Sequence, residues 1–261
     1  MNLLRPCALW IIMDTGRAYA LVTEVRAMDQ STGKRIALGA AALALALVLG
    51  VRGGSMVQAI AQSRAARTLV IDAGHGGFDG GAVGSNGTTE QDINLSIAQR
   101  VQSLAAFFGV RTAMTRTDEN ALDYDPSRPV QENKIADIKA REQLVQDTAD
   151  PVFLSIHLNK FSDAQYHGAQ VFYSPGHADS KTLAELLQAS LAEGCDPANT
   201  RQAKQAERTI YLMKQLECPA VIVECGFLSN PAEEQQLNDT AYHKKLAASI
   251  VTGYLRYESG G

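Results

Sequence analysis

Thr68-Leu-Val-Ile-Asp-Ala-Gly-His-Gly-Gly-Phe-Asp-Gly-Gly81 is a short apolar run that opens into a glycine-rich loop. Such a run predicts a buried strand entering a turn. Downstream, Ile93, Ile97, Val101 and Leu104 recur at helical spacing between Glu90 and Phe108. Gly109 then marks a stop before a strand over Val110–Arg116. The unit is β-α-β. Asp118 to Asn133 is acidic, interrupted by prolines and without periodicity, so it predicts a surface loop ahead of a helix over Ile135–Asp147. Pro151–Leu158 and Gly168–Ser174 predict strands, and Lys181–Glu193 a helix. The polar stretch Gly194–Arg208 and the apolar segment Thr209–Met213 follow, then a strand over Ala220–Cys225 and a helix over Tyr242–Tyr257. Alternation of this kind predicts one α/β catalytic domain with a largely parallel or mixed central sheet flanked by helices. Ligands in such folds gather at the carboxyl ends of the strands.

Upstream the character changes. Lys34-Arg35 precedes an apolar run from Ile36 to Val51, followed by Arg52 and a polar linker. A charged region followed by an apolar one predicts an export segment, although the run is shorter than the roughly 20 residues of a spanning helix. Ala59-Ile-Ala61 has the form of a cleavage site, but Arg52 intervenes, so a cleaved leader and a retained anchor both stay open. Met28 is an alternative start. The organisation is therefore an extension, apolar segment and linker over 1–67, a catalytic domain over 68–257 and a tail over 258–261.

Residues 1–65 carry seven Lys/Arg and three Asp/Glu, leaving 17 and 25 for the rest. An acidic body repels phosphates, which sets nucleic acid aside as a partner and leaves the membrane to the N-terminal segment. With 46% apolar residues the chain can bury a core, which excludes a disordered chain. Cys7, Cys195, Cys218 and Cys225 form no C-x-x-C pair and predict free thiols.

The candidate chemistry stands at predicted strand ends and one helix start: His75, His157, Glu224 and Glu90. Two imidazoles and a carboxylate make a zinc set with one position open to water, and a second carboxylate would carry the proton. Singly, each has an ordinary explanation as a loop residue, a core histidine, a helix-start acid or a buried ion-pair acid. Glu224 is the hardest to explain so, because Ala220-Val-Ile-Val leads it into the mouth of a buried strand, where a carboxylate needs a cation. The glycine loop lacks the spacing of either nucleotide-binding signature, and no Gly-x-Ser-x-Gly occurs. His167, His177 and His243 lie in polar sequence and are expected to be solvated. The glycines of 74–81 would let a bulky chain approach, with Asn159 or Arg116 binding its polar groups.

Val70-Ile-Asp-Ala-Gly-His-Gly-Gly77, Glu90-Gln-Asp-Ile-Asn-Leu95, Phe153-Leu-Ser-Ile-His-Leu-Asn159 and Val223-Glu-Cys-Gly-Phe-Leu-Ser-Asn230 together resemble the zinc-dependent N-acetylmuramoyl-L-alanine amidases of the amidase-3 family. The resemblance spans residues 68–257. It implies one Zn2+ per chain held by His75, Glu90 and His157, with Glu224 as the catalytic carboxylate. It implies peptidoglycan glycan strands with stem peptides as substrate, and action outside the cytoplasm, in the cell wall or the forespore intermembrane space. Asn199-Thr-Arg-Gln-Ala-Lys204 before Tyr211-Leu-Met-Lys214 is most similar to the germination-specific spore-cortex type, some of whose relatives need an activator protein. Cys225, after the catalytic glutamate, departs from the usual residue there and is expected to point away. A vegetative wall amidase, another zinc peptidase on the same scaffold and a non-catalytic wall-binding domain are the alternatives.

Overall fold

The computed structural model of this chain describes residues 67–260; the apolar segment 36–51 and nearly all of the linker lie outside the described residues. The strands are β1 (Thr68–Ala73), β2 (Arg111–Met114), β3 (Pro151–Asn159), β4 (Gln170–Tyr173), β5 (Lys204–Gln205) and β6 (Ala220–Phe227). The helices are α1 (Glu90–Phe107), α2 (Val130–Gln146), α3 (Asp179–Cys195), α4 (Tyr211–Gln215), α5 (Pro231–Leu237) and α6 (Thr240–Glu258). The strands make one mixed sheet in the order β2-β1-β3-β6-β4-β5. β2, β1, β3 and β6 run parallel, and β4 turns antiparallel against β6.

Side chains alternate across the pleat, so each strand serves both faces. Leu69, Ile71, Leu154, Ile156, Val221 and Val223 pack with Ile97 and Val101 of α1, Leu187 of α3 and Ile250 of α6. Val70, Phe153 and Ile222 point the other way, onto Val145 of α2 and Leu212 and Met213 of α4. The result is a three-layer α/β/α arrangement, in which each fully buried large aliphatic side chain contributes about 1.5–3 kcal/mol. α1 ends where Gly109 takes the left-handed conformation at φ 76°.

Several boundaries differ from the sequence expectation, each for a physical reason. α2 begins at Val130, directly after Pro129, rather than at Ile135; its buried residues are Asn133, Arg141 and Val145, so no apolar stripe marks its start. α5 is an additional helix. Asn230 caps it by accepting from Ala232 N and Glu233 N, Pro231 opens it, and only Glu234 and Leu237 are buried. His243, expected in solvent, is buried in the first turn of α6. Its Nε2 lies 2.6 Å from Leu237 O and its Nδ1 2.9 Å from Ser96 Oγ, tying α6 to α1. Among the described residues no helix is long and apolar enough to cross a membrane.

Connectivity places the site. The chain leaves β1 through α1 to β2 on one side, then returns through α2 to β3 on the other. The connections diverge between the carboxyl ends of β1 and β3, which is where open α/β sheets bind ligands.

Candidate metal centre

His75 stands two residues beyond β1 on a backbone of φ 64°, a left-handed conformation uncommon outside glycine that costs about 1–3 kcal/mol. Arg141 of α2 holds that turn, donating through Nη2 to His75 O at 2.6 Å and through Nη1 to Ala73 O at 2.9 Å. The same guanidinium pairs with Asp72 and Asp137. Burial alone would raise the Asp72 carboxyl, but the Arg141 charge and the Ser155 hydroxyl hold it below the usual carboxylate range.

His157 and Glu224 face each other across the β3–β6 ladder as direct partners. Strand alternation sends Asp72, Ser155, His157 and Glu224 to the α2/α4 face, where all four line one cavity of about 370 Å³. By the same alternation Cys225 packs in the opposite layer, fully buried, with Sγ 3.8 Å from Val223 O. Burial pushes this thiol's pKa well above its ordinary value.

Glu90 enters from the first residue of α1. Its Oε2 accepts from Ala82 N at 2.8 Å and lies 3.3 Å from His75 Nε2. Its Oε1 accepts from Leu158 N at 3.0 Å and lies 2.9 Å from His157 Nδ1. Burial opposes ionisation of Glu90, but hydrogen bonds to His157 and His75 outweigh it and hold the carboxyl well below its ordinary value. Burial likewise disfavours the His75 imidazolium, yet Asp79 and Glu90 raise it to about 9.

One donor atom from each of His75, Glu90 and His157 lies within 4.8 Å of the others. A tetrahedral zinc site with ligand bonds near 2.0–2.1 Å has donor separations of about 3.3 Å, so this set fits a zinc ion. Two glycines make the room. A Cβ on Gly74 would stand 2.3 Å from His157 Nε2, and one on Gly81 2.6 Å from Glu90 Oε2 and 2.7 Å from His75 Cδ2. Gly74→Ala is therefore expected to push the His157 ring off its position and weaken zinc binding by at least about 10-fold. Chelator competition with the purified variant measures this, and an unchanged affinity would show that the ring has room to move.

Beside this set Glu224 Oε2 is buried and takes no hydrogen bond within the described residues. Burial, with the Glu90 charge adding and the two imidazoles opposing, lifts its carboxyl to about 7. A carboxylate oxygen buried without a hydrogen bond, next to a donor set suited to a cation, is costly to stability.

The two residues expected at the substrate part company. Arg116 is buried and spends its guanidinium on main-chain carbonyls: Nε on Ala73 at 2.9 Å, Nη1 on Asp118 at 2.9 Å, and Nη2 on Gly74 at 3.1 Å and Gln91 at 2.8 Å. It lies against the glycine loop and is not among the residues that line the cavity. Asn159 ends β3, half-buried, two residues beyond His157. Residues that sequence reasoning passed over also line the cavity: Phe78, Ile138, Ile210 and Met213 form apolar walls, Asp79 stands at His75, and Lys134 pairs with Asp79. Asp79 lies four residues after His75 inside the glycine loop, which was its one visible signal.

Fold and centre together have the layout of a mononuclear metallohydrolase: a three-donor site with a carboxylate beside it, at the switch point of an α/β sheet. Residues 69–256 match the family model for N-acetylmuramoyl-L-alanine amidase. The chain belongs to this amidase-3 family. It is 35% identical over 191 residues to the germination-specific N-acetylmuramoyl-L-alanine amidase of Bacillus subtilis, covering 73% of this chain and 79% of that one. The structure of the CwlD amidase from Clostridioides difficile in complex with the GerS lipoprotein is similar at a TM-score of 0.72 and 36% identity, covering 74% of this chain and 99% of that one. An N-acetylmuramoyl-L-alanine amidase from Clostridium difficile 630 is similar at 0.61 and 29%, covering 74% and 96%.

Proposed function

We propose that this chain hydrolyses the amide between the lactyl group of N-acetylmuramic acid and L-alanine in peptidoglycan, using one zinc ion held by His75, Glu90 and His157. The observation that carries this reading is the convergence of those three donors beside the buried, unpartnered Oε2 of Glu224. A zinc ion at this site supplies Lewis acidity, polarising a carbonyl and lowering the pKa of water toward about 7. Glu224 takes a proton from the attacking water, whose oxygen bonds to the lactyl carbonyl carbon. As the carbon–nitrogen bond breaks, Glu224 returns that proton to the departing amine of L-alanine, so one carboxylate serves as base and then as acid. Asn159, at the end of β3, is offered to polar groups of the glycan.

The catalytic unit in this reading is residues 68–257, exported by the segment containing 36–51. The likeness to a germination-specific relative supports action on spore cortex, where removing the peptide frees muramic acid for lactam formation by a separate enzyme. The similar amidase seen with a lipoprotein supports an activator partner for this chain as well. Mass analysis of digested spore and vegetative murein tests the reading. Peptide-free muramic acid, lost on chelation and restored by zinc, is the expected product. Cuts within the stem peptide that leave muramyl-alanine intact would replace the amidase with a peptidase.

A further inference from the structure

His75 uses both ring nitrogens. Nε2 lies 3.3 Å from Glu90 Oε2, on the side of the ligand set, while Nδ1 lies 3.0 Å from Asp79 Oδ2. A neutral imidazole offers a lone pair at one nitrogen only when the other carries the proton, and an ionised carboxylate can only accept. Asp79 is fixed in turn. Its main chain exchanges hydrogen bonds with Gly76, N to O at 3.0 Å and O from N at 2.9 Å, and its Oδ1 accepts from Lys134 Nζ of α2 at 3.0 Å. The Lys134 and Asp79 side chains remain 46% and 25% exposed. A surface ion pair of that kind adds little to folding, so its placement behind a candidate ligand calls for another role. His157 is held differently: its Nδ1 faces Glu90, and its Nε2 is wedged against Gly74.

We propose that Asp79, anchored by Lys134, is the positioning residue that fixes the His75 ring with Nδ1 protonated and Nε2 directed at the metal. This rests on His75 being a ligand. A carboxylate behind a metal-binding imidazole both orients the ring and makes it a better donor, and losing one typically costs 10- to 100-fold in metal affinity.

The test is zinc affinity by chelator competition in the purified full chain, with the His75 tautomer read from the nitrogen shifts of 15N-histidine in the zinc-loaded protein. Asp79→Asn, which keeps the side-chain shape, and Asp79→Ala are both expected to bind zinc about 10- to 100-fold more weakly. Lys134→Met is expected to cost less, and Lys134→Met with Asp79→Ala no more than Asp79→Ala alone, because the lysine acts through the carboxylate. The wild-type ring should show its proton on Nδ1. Should both Asp79 variants bind within about twofold of wild type while His75→Ala loses zinc, the positioning role is overturned and the ligand assignment survives. Wild-type affinity in His75→Ala would instead overturn the ligand assignment itself. A further loss on adding Lys134→Met to Asp79→Ala would remove the lysine from the relay.

Discussion

Glu224→Gln is expected to lower amide hydrolysis by about 10²- to 10⁴-fold while the purified protein still carries one zinc per chain. The substitution keeps the volume of the side chain and its place opposite His157 in the β3–β6 register, so the donor set of His75, Glu90 and His157 is not disturbed. What disappears is the group that can accept a proton from water and return it to nitrogen. An amide nitrogen is far too weak a base to replace it. The neutral side chain also removes a carboxylate that sits buried without a hydrogen bond at Oε2, so the variant should be at least as stable as the parent. Parallel measurement of rate, metal content and melting temperature separates these effects. A variant that hydrolyses murein at the parental rate would remove Glu224 from the reaction. One that loses zinc would make it a ligand rather than a proton carrier.

The layers of the sheet and the convergence of its polar residues follow from local patterns. The apolar runs over 68–73, 151–158 and 220–225 are strands long enough to bury, and a period of two residues fixes which side chains share a face. His157 and Glu224 occupy the same face because both follow that alternation in strands paired in register. Cys225 joins the opposite layer for the same reason. What periodicity does not report is a polar contact between distant segments. Arg116, at the end of a predicted strand, reads as a cation for substrate, yet four main-chain carbonyl oxygens around the glycine loop take up its guanidinium. His243 lies in a polar helix start, and it is buried because Leu237 O and Ser96 Oγ happen to meet it. α5 escapes a reading based on apolar spacing because two buried residues make no stripe, although Asn230-Pro231 carries a cap and an opening proline. The Lys134–Asp79–His75 chain joins residues 59 positions apart at its ends, a link that only the packing of α2 over the loop creates.

Glu90→Ala should have the other large effect, and it differs in kind because this carboxylate carries two duties. It stands between the imidazoles, 3.3 Å from His75 Nε2 and 2.9 Å from His157 Nδ1, so its loss leaves a two-donor site. A two-histidine remnant is expected to hold zinc more than about 100-fold less tightly, since even partners behind the ligands are worth 10- to 100-fold. Activity should fall to background and recover little on adding metal. Glu90 also accepts from the main-chain N–H groups of Ala82 and Leu158, joining the glycine loop to the end of β3. Alanine strands the buried Leu158 N–H, at about 1–3 kcal/mol, and leaves the half-buried Ala82 N–H without its acceptor at a smaller cost. Even about 2 kcal/mol would lower the melting temperature of the metal-free protein by roughly 4–8 °C in a domain of this size. Glu90→Gln distinguishes the duties. Its single oxygen can serve one of the two N–H groups, while its NH₂ must face the other, so it should lose metal much as alanine does and recover only part of the stability. Calorimetry of the metal-free variants beside zinc titration checks both halves. Stoichiometric zinc in Glu90→Ala would take this residue out of the ligand set, and an unchanged melting temperature would show that water satisfies the two donors.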